Sequence, residues 1–298
     1  MSYSASKIQD SVNRGNSSRQ EHFQDSLDSI KRNEDLGAWV WTYTNLEDSE
    51  KKRPRLPESD YSALNGVPLG VKDIFNTIDG STEMGSELWK DFIAGNDARI
   101  VTAFNEAGSS IIGKTKTAEF AVHALPDVLN PWDKDLNPGT SSTGSAVCVL
   151  TGDVPVSLGT QTAGSISRPA SFCGVIGVKP TFGVFPRTGV LKTCDPFDTV
   201  GYFCSHYEDV GLIFDSVRLK GSNYPLIEEG LESNADSLDK GNLRVARVIT
   251  DSNPYEDPSI TQQFESFCNA LPKNYKLETL DLRDSLSRAR QIHEEIYH

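Results

Sequence analysis

Three short stretches carry residues that could do covalent chemistry. In GVPLGVKDIF, residues 66–75, Lys72 stands among apolar neighbours, which would hold its ammonium against or inside a core. Desolvation disfavours the charged amine, and a lysine made neutral in this way is a competent general base. Downstream, NPGTSSTGSA (137–146) gathers Ser141, Ser142, Thr143 and Ser145, while SLGTQTAGS (157–165) ends in a Gly/Ser turn. A strand ending in such a turn can aim consecutive backbone N–H groups at one point, as an oxyanion hole requires. A serine in that turn becomes a nucleophile only beside a base.

Each of these residues has a plainer reading. Taken alone, Lys72 pairs with Asp73 or reaches the surface. Serine hydroxyls most often cap turns and helix starts, and that reading is kept for Ser142, Thr143 and Ser145, with Ser142 the best placed of them to support a catalytic group. Histidine is the usual base for a serine, yet His22, His123, His206, His293 and His298 all fall outside the charge-poor block described below, and no G-x-S-x-G elbow occurs. Cys173, between Phe172 and Val175, reads as a packed thiol. Arg168 could fix an anionic substrate or pair with a carboxylate or carbonyl. Trp39, Trp41, Trp89 and Trp132 read as core or rim packing.

A fourth stretch, GSSIIGKT (108–115), matches the phosphate-loop pattern G-x-x-x-x-G-K-[ST]. A phosphate loop must follow a strand. Here the preceding DARIVTAFNEA places Ile100, Phe104 and Ala107 on one helical face, so Gly108 reads as a helix-terminating glycine and Ser110, Ile111 and Ile112 as a short buried strand. The order is reversed, which leaves nucleotide binding through Lys114 as a remote alternative.

The elements that must position these residues follow from periodicity. Residues 1–60 are polar, with Ile8 and Val12, then Phe23, Leu27 and Ile30, at helical spacing, which predicts a helical arm. Between Leu136 and Val200 only Asp153, Arg168, Lys179, Arg187, Lys192, Asp195 and Asp198 are charged. Such a block belongs in an interior, and buried Gly, Ser and Thr loops need a reason, of which a ligand site is one. Residues 144–150 predict a helix, VPVSLGT a strand, and YEDVGLIFDSV (207–217) a helix before a polar loop over about 219–242. Then LRVARVI, PSITQQFESFCNAL, YKLETLDL and SLSRARQIHEEIYH alternate strand and helix, the pattern of an α/β layer fold. The last pattern reaches His298 without a stop signal, which predicts a longer protein.

From Asn65 to Val217, GVPLGVKD, AGSSIIGKTKTAEFA, NPGTSSTGSA and SLGTQTAGSISRPASFCGVIGVKPTFG, in that order, resemble the amidase signature family, serine hydrolases that cleave amides with a Ser–cis-Ser–Lys triad. The resemblance implies an α/β fold, a mixed twisted β-sheet covered by helices on both faces. It implies an arm over 1–60 packed on an amidase domain over 61–298 whose C-terminal part is missing. Ser165 would be the acyl-forming nucleophile, Ser141 the bridging serine after a cis peptide, and Lys72 the base. Gln161, Thr162, Ala163 and Gly164 would form the oxyanion and substrate-binding turn, and the GKT would be structural. The family implies no metal and no cofactor, a small-molecule amide substrate, and a second copy or amidotransferase-type subunits as partners. A homologue that folds without catalysing is the alternative. Thr140 and Ala163 replace common glycines, Gln161 a common Asp, and Ser167 a frequent Arg. A left-handed backbone at Ala163 would cost about 1–2 kcal/mol.

Composition bounds the rest. The chain of 298 residues is 37% apolar and 24% charged, the make-up of a globular protein. Its net charge of −13 and the lack of long basic runs argue against nucleic acid. KKRPR (51–55), with Glu47, Asp48, Glu50 and Glu58 around it, reads as a solvated loop. No stretch has the apolar length of a membrane span and the N-terminus has no signal-peptide core, so the expected location is cytoplasmic and the sequon at Asn16 unglycosylated. Five cysteines without a C-x-x-C pair read as reduced thiols.

Overall fold

The computed structural model describes residues 4–53, 63–122, 124–224, 244–250, 257–271 and 276–297. They fall into two units, Met1–Leu219 and Lys220–His298. In the first unit the helices are α1 (Ala5–Asn13), α2 (Arg19–Arg32), α3 (Leu46–Glu50), α4 (Arg99–Glu106), α5 (Thr143–Leu150), α6 (Ser167–Cys173) and α7 (Tyr207–Val217). The strands are β1 (Trp39–Thr42), β2 (Pro68–Lys72), β3 (Ser110–Thr115), β4 (Val156–Gln161), β5 (Ile176–Val178) and β6 (Thr199–Cys204).

These strands form a six-stranded mixed sheet in the order β1-β3-β2-β4-β6-β5, with the central β3, β2 and β4 parallel and the outer pairings antiparallel. Parallel strands with both faces covered read as continuous buried runs, and β2 and β3 are buried along their whole length. Helices cover both faces, as β6 shows through its alternation. Phe203 joins the cluster formed by Phe23 of α2, Ala146 to Val149 of α5 and Ala170 and Cys173 of α6. Its neighbour Tyr202 points the other way, stacking near Phe185 and donating its hydroxyl to the Val210 carbonyl of α7 at 2.6 Å.

The arm is fastened by two buried carboxylates. Asp153, in the turn between α5 and β4, accepts from Ser29 Oγ at 3.0 Å, Asn33 Nδ2 at 2.7 Å and Trp39 Nε1 at 3.0 Å. Asp209 of α7 accepts the Ala5 and Ser6 N–H groups at 2.9 Å each, capping α1 from outside, since Ser4 makes no cap of its own. Helix α2 starts on its own capping box of Ser18 and Glu21.

Arg53 departs from the solvated-loop reading of KKRPR. It is buried and forms ion pairs with Asp97 at 2.9 Å and Asp79 at 3.3 Å, distant carboxylates that a count of sequence neighbours does not reveal. Lys51 and Lys52 are exposed as expected, and residues 54–62 lie outside the described set.

The second unit holds β7 (Arg244–Ile249) parallel to β8 (Lys276–Asp281), with α8 (Pro258–Ala270) between them in sequence and α9 (Arg283–Leu286) and α10 (Ala289–Tyr297) after. A strand, a helix and a parallel strand make the βαβ alternation that the pattern predicts. Most of the predicted loop over 219–242 lies outside the described residues. Among the described residues no helix is long and apolar enough to cross a membrane.

Candidate active site

The segment that matches a phosphate loop is strand β3 itself. Helix α4 precedes it and Gly108, at φ 98°, terminates that helix. Lys114 is fully buried and makes an ion pair with Asp73 at 2.9 Å, with further hydrogen bonds to Thr82 Oγ1 at 2.7 Å and the Ser81 carbonyl at 3.3 Å. Burial pushes the lysine down and the carboxylate up, and each charge opposes the shift of the other. This pair overturns the reading of Lys72 as partner of Asp73. Successive strand residues face opposite sides of a sheet, so Asp73 turns toward Lys114 and Lys72 turns away.

Lys72, the last residue of β2, is fully buried and does not reach the surface. Its Nζ donates to Ser141 Oγ at 3.0 Å and to Thr160 Oγ1 at 2.9 Å, two neutral oxygens. Burial without a contacting carboxylate pushes the amine down to about 7, opposed by the more distant charge of Asp198. A large share of such a lysine is neutral near pH 7.

Ser141 follows a cis peptide bond from Thr140. Both flanking carbonyls are held: Arg168 Nε donates to the Thr140 oxygen at 3.0 Å, and Ala118 N–H and Thr117 Oγ1 donate to the Ser141 oxygen at 3.2 Å. Gly139 has φ 83° and lies so close to Pro169 of α6 that a Cβ there would come within 2.6 Å of its Cα, so the approach to Ser141 needs glycine.

Ser142, Thr143 and Ser145 do not cap α5, contrary to the plain reading. Ser142 Oγ donates to the Thr160 carbonyl at 3.2 Å, and Ser145 Oγ donates to the Leu158 carbonyl at 2.8 Å and meets Thr115 Oγ1 at 2.7 Å. These hydroxyls tie α5 to β4 and β3. The tie is sideways because Gly144 presses α5 against the backbone of Ala38 and Lys116, where a Cβ would clash at 2.3 Å.

The chain leaves β4 at Gln161 and turns through Thr162, Ala163 and Gly164 to Ser165, which is buried to 8% exposure just before α6. Gln161 Oε1 accepts the N–H groups of Ile166 and Ser167 at 2.9 Å each and so caps α6 with a neutral group. Among the described residues the N–H groups of Thr162, Ala163 and Gly164 donate to no backbone carbonyl. Ala163 is not in the left-handed region, so the side chain costs no backbone strain there.

Thr160 and Asp198 join the site without having been singled out in the sequence. Asp198 Oδ1 accepts from Thr162 Oγ1 at 2.6 Å. A threonine in a strand is ordinary, and no local signal marks Thr160. Asp198 is one of the few charges in the charge-poor block, and that isolation is the signal. Cys173 is buried, with its thiol pushed up to about 12 by desolvation, as a packed thiol should be. His22 pairs with Ser17 and His206 with Ser205, while His123 and His298 lie outside the described residues.

Known proteins share the sequence pattern and the fold. Residues 21–292 match the family described as Amidase. The A subunit of glutamyl-tRNA(Gln) amidotransferase from Chromohalobacter salexigens is 33% identical over 276 residues, which cover 90% of this chain and 52% of that protein. Its counterpart in Legionella pneumophila (strain Corby) is 34% identical over 72% of this chain and 46% of its own length, so the chain spans about half the length of these curated relatives. The native peptide amidase of Stenotrophomonas maltophilia shares the fold at TM-score 0.78 and 22% identity, over 97% of this chain and 64% of that one. The same amidotransferase component from Thermotoga maritima does so at TM-score 0.75 and 24% identity, over 94% and 62%. With a family match across most of its length, the chain belongs to the amidase family.

Proposed function

We propose that the protein cleaves carboxylic amides through an acyl-enzyme on Ser165, with Ser141 as proton bridge and Lys72 as base. The observation that carries the reading is the buried Lys72 hydrogen-bonded to Ser141 at 3.0 Å with no carboxylate in contact among the described residues. Neutral Lys72 takes the proton of Ser141 as Ser141 takes that of Ser165, whose Oγ attacks the amide carbon. The N–H groups of Thr162, Ala163 and Gly164 are free to stabilise the oxygen that becomes negative. Return of a proton to the nitrogen expels ammonia or an amine, and water then releases the acid and restores the serine.

Arg168 supports a preference for anionic amides. Among the described residues its Nε alone is engaged, on the Thr140 carbonyl, and its guanidinium lies beside Gly164. The test is ammonia release from a panel of neutral and anionic amides. Turnover lost by at least about a hundredfold in Ser165→Ala and in Lys72→Ala supports the reading. Equal turnover in either variant and the parent protein would refute it.

A second reading rests on the relatives. They are amidotransferase subunits about twice as long, so this chain would supply the amide-cleaving centre of a larger assembly. In that case Ser165 is reactive in the isolated chain while amide turnover waits for a partner.

A further inference from the structure

Asp198 sits where the two halves of the site meet. It stands just before β6, whose ladder with β4 ends at the pair Gln161–Thr199, and its side chain reaches the turn that leaves β4. One carboxylate oxygen takes the Thr162 hydroxyl at 2.6 Å, and the other takes the N–H groups of Thr193 and Cys194 at 2.7 and 3.0 Å. Its backbone carbonyl accepts Arg187 Nη1 at 3.1 Å. With Thr160, Arg187, Leu191, Thr199 and Val200 it lines a cleft, and Thr160 is also the second hydrogen-bond partner of Lys72.

The cations nearby make their ion pairs with other carboxylates than that of Asp198. Arg187 and Lys192 both pair with Asp195, at 3.1 and 3.2 Å. Lys114 pairs with Asp73 across β2 from Lys72, and the Arg168 guanidinium rests on the Thr140 carbonyl. Among the described residues no cation forms an ion pair with the Asp198 carboxylate, whose donors are one hydroxyl and two amides. Ser141 and Thr160, the direct neighbours of Lys72, are neutral.

We propose that Asp198 is a positioning residue of this site, clamping Thr162 of the oxyanion turn to the segment Arg187–Asp198 while its carboxylate, on the cleft it shares with Thr160, acts on the charge of Lys72. The inference rests on the hydrolytic reading of Ser165, Ser141 and Lys72. One group thus governs both the aim of the turn and the protonation of the base. A carboxylate there favours the charged lysine and opposes burial, the direction found for Lys72. Removing that charge makes the neutral base persist to lower pH.

The experiment is the rate of Ser165 modification by a small fluorophosphonate, followed by intact mass from pH 5 to 9 in the full chain. In the parent protein the rate rises through a midpoint set by Lys72 to a plateau. Asp198→Asn is expected to lower the plateau about tenfold, as befits a displaced oxyanion donor, and to move the midpoint to lower pH. Asp198→Glu and Thr162→Val keep the negative charge, so each is expected to lower the plateau and leave the midpoint in place. A residue that merely supports the fold lowers the plateau without moving the midpoint. A folded Asp198→Asn protein with the parental midpoint overturns the proposal while leaving the hydrolytic reading intact. If circular dichroism shows Asp198→Asn to be unfolded, an unchanged plateau in Thr162→Val overturns it instead. A parent protein that acquires no adduct on Ser165 overturns both the hydrolytic reading and this one.

Discussion

A buried lysine whose partners are two hydroxyls has lost water and gained no counter-charge, so its neutral form is favoured. With the Lys72 amine at about 7, Ser165 reactivity should fall roughly tenfold per unit as pH drops below that value. Stability carries the same sign. The unfolded chain holds this proton up to the ordinary 10.5 and the folded chain only to about 7, so the contribution is full above 10.5 and is lost as pH falls through 7. Replacing Lys72 by Met should flatten that part of a urea-midpoint series taken across pH, and an unchanged slope would contradict the assignment. Burial pushes Lys114 down as well, but this lysine has a counter-charge in contact. Lys114→Met strands Asp73 in the core and should cost about 3–5 kcal/mol, most of it recovered in Asp73→Leu/Lys114→Met, as denaturant titration would show. Lys72, Ser141 and Ser165 stand out in sequence as candidates because their surroundings are local: apolar neighbours, a serine run, a Gly/Ser turn. Thr160 carries no local signal and Asp198 only its isolation among uncharged neighbours, because their contacts with Lys72 and Thr162 arise in the folded sheet.

Periodicity reads helices and strands well where one residue type repeats on one face. Ile100, Phe104 and Ala107 mark α4, and the buried Ile111–Ile112 pair marks β3, which is why a letter-perfect phosphate-loop pattern yields to its context. The same reading fails for Ser142 and Ser145, since capping is the local use of a serine at a helix start and their actual partners lie on β4 and β3. It also misses Asp153, whose three donors come from α2, the residue ending it and β1. These contacts dock the arm. Asp153→Ala should therefore leave three polar groups without their acceptor and lower stability by ~1–3 kcal/mol, with amide exchange in α2 accelerating more than in β2 or β4. Uniform loss across all these elements would show instead that arm and sheet unfold as one.

On the scale of the molecule, the candidate site is drawn wholly from the unit Met1–Leu219, while the chain spans about half the length of its curated relatives. On the proposed reading, amide turnover draws on substrate choice and on any completing subunit, whereas activation of Ser165 draws on Lys72, Ser141, the turn after β4 and the Asp198 that holds it. The most direct test of the account bypasses substrate and partner together. The purified chain is treated with a fluorophosphonate, its intact mass taken, and the modified peptide mapped in the parent, Lys72→Ala and Ser141→Ala proteins. The account predicts a single adduct on Ser165 in the parent and at least a hundredfold slower modification in both variants. An adduct on another residue, or equal modification of Ser165 without Lys72, would contradict it.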